Sequence, residues 1–412
     1  MVFLLTLVLV FRGFASAMGG QDLELNPLLR EAKEKNPEIL AARKNWEAAQ
    51  ARILPSKTWM EPEVAAEYMG FPLSGVNAAS AVEKRYTVAQ KIPFPGKLFW
   101  RGKAAGHEAR REEGMYLAVQ VEVIAGVKEA YYDFLYADRA VKIFRENVEL
   151  VRGFAKIAES KYSVGKVSQS DALKAQVELS KMLNKLVAFQ QEREIAQARL
   201  NALLDRRPEM ALDAPAEPAF LPVELDVAKL ERLALVHRPE MHVAVHHVEH
   251  TKAELNAARA DYLPDVMVQY GMRAMNGAQP DAVAMLRLSL PMLRFRRQSS
   301  IIASVERERE HAQAQLRSVE TVTRYEVKKF LVHVQTAQRL VELYRSTVSP
   351  QTKQLLRVAQ ANYQSDKIGF LDLLDSYRTF IDFQLEYYQA LADYGKSLAH
   401  LERVVGKDLP AE

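Results

Sequence analysis

Most of the chain has the spacing of apolar and polar residues that is typical of long amphipathic helices. Prolines are absent between Pro95 and Pro208, between Pro291 and Pro350, and from there to Pro410. Within the first gap, apolar residues recur every three or four positions, with charged and amide side chains on the other faces. Because a proline costs about 3 kcal/mol in a helix interior, these gaps predict helices much longer than those of ordinary globular domains.

Two segments alternate with a period of two instead, at about 62–93 and about 264–291. In the first segment, Val64 and Ala66 alternate with Ala65 and Glu67. Such alternation predicts two β-hairpins, each with one apolar and one polar face. A two-stranded ribbon is marginal alone, so each hairpin must pack or pair further. Four strands are too few to close a barrel, whereas several chains together could close one.

The two halves of the chain repeat one another at an offset of about 200 residues. Residues 36–38 (Asn-Pro-Glu) match residues 238–240 (Arg-Pro-Glu), and Asp171 matches Asp372. A period this long indicates a duplicated unit of helix, hairpin and long helix. The predicted division is a first repeat at 18–209 with long helices at about 97–205, a linker at 210–236, and a second repeat at 237–409 with long helices at about 297–405.

The N-terminal residues follow the order of segments found in a secretory signal peptide. An apolar run from Val2 to Phe14 precedes Ala15-Ser16-Ala17, which predicts a signal peptide at 1–17 that is cleaved after Ala17. A membrane-spanning helix needs about 20 apolar residues, and we expect none in the mature chain. A buried N-terminal element is the alternative, because Met1 is not followed by the usual basic residues.

Composition removes several classes of protein. The 412 residues include no cysteine, which excludes disulfide frameworks, thiolate metal sites and cysteine nucleophiles. With 56 Lys+Arg against 52 Asp+Glu, the net charge of +4 gives no case for a nucleic-acid partner. The sequence has no phosphate-binding glycine loop, Gly-x-Ser-x-Gly elbow or His-Glu-x-x-His motif. We therefore predict a protein that is not an enzyme and needs no cofactor.

A histidine cluster is one candidate site. Five of the nine histidines lie between His237 and His250. The spacing of His242, His246 and His250 places three imidazoles on one helical stripe, and such pairs can bind zinc or copper. A solvated or interhelical polar face is the alternative interpretation.

The sequence resembles the TolC-like outer-membrane efflux proteins from about Leu23 to Leu409. The resemblance is carried by the Asn-Pro-Glu opening at 36–38, by Gln-Lys-Ile-Pro-Phe-Pro-Gly-Lys at 90–97, and by two helix interruptions, each followed by Asp-x-Leu. Pro-Phe-Pro-Gly-Lys in this place is most similar to the heavy-metal branch, the outer-membrane partners of cation pumps of the resistance-nodulation-division type.

The resemblance implies a mainly α fold with a small β part, built as a homotrimer. Each chain gives four strands to one twelve-stranded barrel in outer-membrane lipid, and long helices form a periplasmic tunnel. The implied function is passive efflux of substrate, with metal cations expected from the branch. The implied partners are a periplasmic adaptor (membrane fusion) protein and an inner-membrane resistance-nodulation-division pump.

The resemblance also implies roles for residues at the two helix interruptions. Asp372 and Asp375, three residues apart on one helical face, line the periplasmic aperture. Tyr363, Asp171 and Lys367 are the gate contacts, although a helix cap is an alternative role for Asp171. The tips that meet the adaptor are Val164, Gly165, Lys166, Ser365 and Asp366.

Two other functions remain open at this point. A soluble helical scaffold of the periplasm or cytoplasm accounts for the long helices. A metal-binding or catalytic envelope protein accounts for the histidines. Neither accounts for the duplicated hairpins.

Overall fold

The computed structural model describes residues 22–71, 78–165, 167–218, 220–223, 225–289, 295–365 and 367–409. The predicted signal peptide at 1–17, Lys166 and Asp366 lie outside the described residues. The helices are α1 (Leu25–Lys35), α2 (Pro37–Ala51), α3 (Ile53–Lys57), α4 (Lys97–Ser163), α5 (Gln169–Leu203), α6 (Val227–His237), α7 (Pro239–Ala260), α8 (Phe295–Leu343), α9 (Ser349–Gln364) and α10 (Phe370–Val405). The strands are β1 (Glu63–Met69), β2 (Glu83–Ile92), β3 (Asp265–Met275) and β4 (Asp281–Ser289).

Proline marks the start of α2 and of α7, where its missing N–H costs nothing. Before α2, the Asn36 side chain accepts hydrogen bonds from the N–H groups of Glu38 (2.9 Å) and Ile39 (3.2 Å). Arg238 holds the matching position before α7. Its buried guanidinium donates to Thr323 Oγ1 at 3.1 Å. The two repeats therefore begin in the same way but use different side chains.

The two predicted hairpins form one antiparallel sheet in the order β1-β2-β3-β4. Strand β2 pairs with β3 from Glu83↔Met275 to Ile92↔Val266, which joins the first half of the chain to the second. At Gly271 the strands approach so closely that a Cβ atom would lie 2.1 Å from the Tyr86 carbonyl oxygen.

The register confirms the predicted alternation. Across the sheet, Val64, Val88, Tyr270 and Ala284 lie opposite one another in turn. This face is apolar and exposed; Val64, for example, is 80% exposed. A row on the opposite face, three positions further along β1, consists of Glu67, Arg85, Arg273 and Asp281, and Arg273 Nε donates to Asp281 Oδ1 at 3.0 Å. The sheet thus has one apolar and one charged face.

The helices bury their apolar stripes against one another, as the proline gaps predicted. Helix α4 extends over 67 residues, or roughly 100 Å at the usual rise per residue, and packs against α5 and α7. Near the end of α4, a core formed with α5, α9 and α10 contains Phe144, Leu373 and Tyr377. In the described part of the chain, no helix is both long enough and apolar enough to cross a membrane.

The helical path of the second half continues through Pro350. A π-helical segment, Tyr344–Val348, connects α8 to α9. Proline lacks an N–H, and its ring conflicts with the carbonyl four residues earlier. The wider π-helical turn accommodates Pro350 without ending the helix. The mainly α fold with a small sheet, and its repeated order of helix, hairpin and long helix, are thereby confirmed.

Candidate functional site at the helix tips

The first helix tip connects α4 to α5. Its turn is closed by the Gly165 N–H, which donates to the Tyr162 carbonyl at 2.9 Å. Gly165 has φ +73°, a conformation that glycine adopts without steric cost. Val164 beside it is 66% exposed. The turn therefore presents an apolar side chain to the surroundings on a fixed backbone.

The second helix tip connects α9 to α10. The Ser365 hydroxyl donates to the Ala361 carbonyl at 3.0 Å, and the Lys367 N–H donates to the Asn362 carbonyl at 2.8 Å. These bonds satisfy carbonyls that a helix end leaves without partners. The Lys367 side chain is exposed.

Ser168 caps the start of α5, and Asp171 in the first turn of the helix is its hydrogen-bond partner. The Ser168 hydroxyl donates to Asp171 Oδ2 at 2.8 Å, and the Asp171 N–H donates to Ser168 Oγ at 3.2 Å. An acidic side chain here also interacts favourably with the positive end of the helix dipole. Asp171 thus contributes to the start of α5 through the capping residue Ser168, and its predicted gate contact stays a prediction.

Tyr363 is buried at the end of α9, with 6% of its surface exposed. The Lys161 ammonium lies 4.4 Å from the centre of its ring, and the Phe370 ring packs at 6.1 Å. A cation at this distance from an aromatic face is attracted by the ring quadrupole. Tyr363 therefore ties the end of α9 to the end of α4, through a lysine that the sequence did not single out.

Asp372 and Asp375 are both exposed on α10, whereas Leu373 and Leu374 between them are buried. Asp372 Oδ2 accepts a hydrogen bond from the Gly369 N–H at 3.1 Å, which caps the helix. Both carboxylates line an open groove of about 840 Å³ between α5 and α10. The two predicted aperture residues therefore lie together, facing out of the protein.

Asp372 and Asp375 form an acidic stripe on the exposed side of α10, and Arg378 lies on the same side. The Arg378 guanidinium forms a two-pronged ion pair with Glu178 of α5. Arg378 Nε donates to Glu178 Oε1 at 2.9 Å, and Nη2 donates to Oε2. The hydrogen bond from Arg378 lowers the pKa of Glu178 below its usual value of 4.5. The pair is therefore ionised at neutral pH, and its stabilisation is lost as the pH falls through that lowered pKa.

A second contact ties the same part of α10 to α4. The buried Tyr377 hydroxyl donates to the carbonyl oxygen of Asn147 at 3.2 Å and to its Oδ1. Burial raises the pKa of Tyr377, so the hydroxyl keeps its proton. Together, Tyr377 and Arg378 hold the acidic end of α10 against α4 and α5.

Sequence reasoning missed these contacts, but one signal for the ion pair was available. Glu178 and Arg378 are 200 residues apart, which matches the distance between the repeats. Arg378 is also three positions after Asp375, on the same helical face. No comparable signal pointed to Asn147 or Lys161.

The histidine cluster differs from the predicted triplet. His246 Nε2 lies 3.1 Å from His242 Nε2, and His246 Nδ1 lies 3.5 Å from Nδ1 of His107 on α4. His250 turns elsewhere: its Nδ1 lies 3.0 Å from the Ala104 carbonyl and its Nε2 lies 3.3 Å from Glu254. Within the described residues, no group of three or more His, Asp or Glu is arranged to hold a metal ion.

Comparison with known families identifies the class of protein. The family model described as outer membrane efflux protein matches residues 28–206 and 230–407. The chain therefore belongs to the outer membrane efflux protein family, which confirms the resemblance seen in the sequence. It is an outer-membrane efflux channel whose long helices lie in the periplasm.

Individual relatives are similar along most of their length. The cobalt-zinc-cadmium resistance protein CzcC of Cupriavidus metallidurans is 21% identical over 395 residues, which are 93% of this chain and 90% of the relative. The cation efflux system protein CusC of Escherichia coli O157:H7 is 21% identical, with 87% of this chain and 80% of the relative covered. The crystal structure of VceC from Vibrio cholerae superimposes with a TM-score of 0.78 at 18% identity, covering 93% of this chain and 96% of that one.

We predict that Arg378→Ala increases single-channel conductance in planar bilayers at neutral pH. The substitution leaves the Glu178 carboxylate without its cation, a loss of about 1–3 kcal/mol, and releases α10 from α5 beside the acidic stripe. Exchanging the two charges, with Glu178→Arg and Arg378→Glu together, should bring the conductance back towards that of the unmodified channel.

The matched control is Arg307→Ala, which removes an exposed ion pair within α8, where Arg307 lies 2.7 Å from Glu310. That variant should conduct like the unmodified protein. Equal conductance of the Arg378 variant and the unmodified channel would contradict a positioning role for the Glu178–Arg378 pair.

Proposed function

We propose that this channel is the exit duct of a tripartite system that exports metal cations. In this proposal the duct is passive, and substrate reaches it from a periplasmic adaptor and an inner-membrane resistance-nodulation-division pump. The observation that carries the proposal is the exposed pair of carboxylates, Asp372 and Asp375, held at the helix tip. Relatives named for cobalt-zinc-cadmium resistance and for cation efflux support a metal substrate.

The sheet supports assembly as a homotrimer. Its apolar face is exposed, and β1 and β4 are its two edge strands. A strand edge left in lipid costs several kcal/mol for each unpaired backbone group. Three copies would pair β4 of one chain with β1 of the next and close twelve strands into one barrel. The charged face, with Arg85 and Arg273, would then line the water-filled interior.

Threefold symmetry would also complete the aperture. The pair Asp372 and Asp375, repeated three times, places six carboxylates around one axis. A ring of negative charge attracts cations and slows anions. This fits metal export because divalent ions gain more from such a ring than singly charged ions do.

The turns beside the aperture have separate proposed roles. Tyr363, Asp171 and Lys367 belong to the gate, because they lie where α9 meets α10 and where α5 begins. Val164, Gly165, Lys166, Ser365 and Asp366 form the surface that meets the adaptor. Val164 is exposed at this turn, so a partner can reach it.

Native mass tests the trimer. Protein extracted in mild detergent from carbonate-washed outer membranes should have the mass of three chains, because closure needs twelve strands. A monomer recovered from the soluble fraction would contradict membrane insertion, and the scaffold hypothesis would then account better for the long helices.

Metal tolerance tests the substrate. Deleting the gene in its host should lower tolerance to Co²⁺, Zn²⁺ or Cd²⁺, with restoration by a plasmid copy, while tolerance to a cationic dye such as ethidium stays unchanged. Sensitivity to the dye with normal metal tolerance would indicate a drug duct instead.

Cation block tests the acidic ring. Replacing both Asp372 and Asp375 by Ala should weaken block of the pore by divalent or trivalent cations at least about tenfold, which corresponds to about 1.4 kcal/mol of lost attraction. The measurement is the blocking concentration in planar bilayers at about 0.1 M salt, where charges further along the helix are largely screened.

Asp382→Ala is the control for cation block. This exposed residue lies on the same helix, about 10 Å beyond Asp375, which is one Debye length at about 0.1 M salt. A smaller effect is expected there. Equal weakening from Asp382→Ala, or unchanged block in the double variant, would remove the ring from the proposal.

A further inference from the structure

His242 and His246 face one another across one turn of α7. Their Nε2 atoms are 3.1 Å apart, and the rings are inclined at 75°. Two nitrogens bound to one zinc or copper ion at about 2.0–2.1 Å, with an angle of roughly 90–109° between them, lie about 2.8–3.4 Å apart. The observed separation is that of an N–H···N hydrogen bond between the two rings, and it also lies within the range of a chelate formed by neighbouring helical turns.

Neighbouring helices hold the two rings in place. His107 of α4 lies on the far side of His246, with 3.5 Å between the two Nδ1 atoms. A ligand histidine usually has such a partner on its second nitrogen, and the partner fixes the orientation of the ring. Gly114 makes room for His242, since a Cβ atom there would lie 3.0 Å from its Nδ1.

The site can be reached from outside the protein. His242 and His246 are half-buried. His107 lines a separate open groove of about 500 Å³ between α2 and α4, together with Trp46. Access from solvent allows an ion to enter and leave without unfolding the helices.

We propose that His242 and His246 chelate one Zn²⁺ or Cu²⁺ ion, with His107 as the positioning residue for His246. Two protein ligands leave the remaining coordination positions to water. Such a site binds less tightly than a four-ligand structural site and exchanges its ion. This proposal is independent of which substrate the duct exports.

The experiment titrates the purified full-length protein in detergent with Zn²⁺ by calorimetry at pH 7, beside its His242→Ala and His246→Ala variants. We expect one exchangeable site per chain. Each variant should weaken Zn²⁺ binding more than about tenfold. Removing a residue that only supports a metal ligand lowers affinity by about tenfold or more, and each variant removes a ligand itself. With Cu²⁺, the electron paramagnetic resonance spectrum should show two equivalent nitrogens, reduced to one in either variant.

His250→Ala is the matched control, because His250 lies one turn further along α7 and points to Ala104 and Glu254 instead. Its affinity for Zn²⁺ should equal that of the unmodified protein. Absence of stoichiometric binding, unchanged affinity in the His246 variant, or equal weakening by His250→Ala would each overturn the proposal. Conductance of the same preparations reports on the duct separately, so loss of the metal site is distinguishable from loss of the channel.

Discussion

Pairing of β2 with β3 is the interaction on which the rest of the structure depends. The two strands come from different halves of the chain, and their pairing turns two marginal hairpins into one sheet. At its end, the buried Lys97 ammonium lies 2.8 Å from Asp265 Oδ1, which joins the start of α4 to the start of β3. Because of this connection, α4 and α7 leave the sheet side by side and their apolar stripes meet.

Local features of the sequence were sufficient to predict the elements but not their pairing. Alternation around Val64 and the gap after Pro95 depend on periods that a single strand or helix imposes on its own residues. The order of the strands depends on contacts between residues that are nearly 200 positions apart. Alternation fixes which face is apolar, but several registers that differ by two residues keep that face the same. Gly271 limits the choice only once β2 is known to lie beside it.

The candidate site likewise combines features that are local in the sequence with contacts between distant residues. Exposure of Asp372 and Asp375 follows from their spacing on a helix whose other side is apolar, and the structure has both on the outside. The contacts that hold this helix are harder to predict, because the partners Glu178 and Asn147 come from the other repeat. Only the ion pair had a signal in the sequence, its separation of 200 residues. The local sequence of a long helix does not determine which turn of a distant helix it contacts.

The contacts that hold α10 differ in what it costs to break them. Tyr377 and Asn147 are buried, so separating them leaves polar groups without partners in apolar surroundings. The side chain of Arg378 is 46% exposed, so water and salt can replace part of its interaction with Glu178. Of these two contacts, the Glu178–Arg378 ion pair is therefore the less costly to break. The Tyr377–Asn147 hydrogen bond, together with the buried Leu373 and Leu374 beside it, keeps this part of α10 packed against α4.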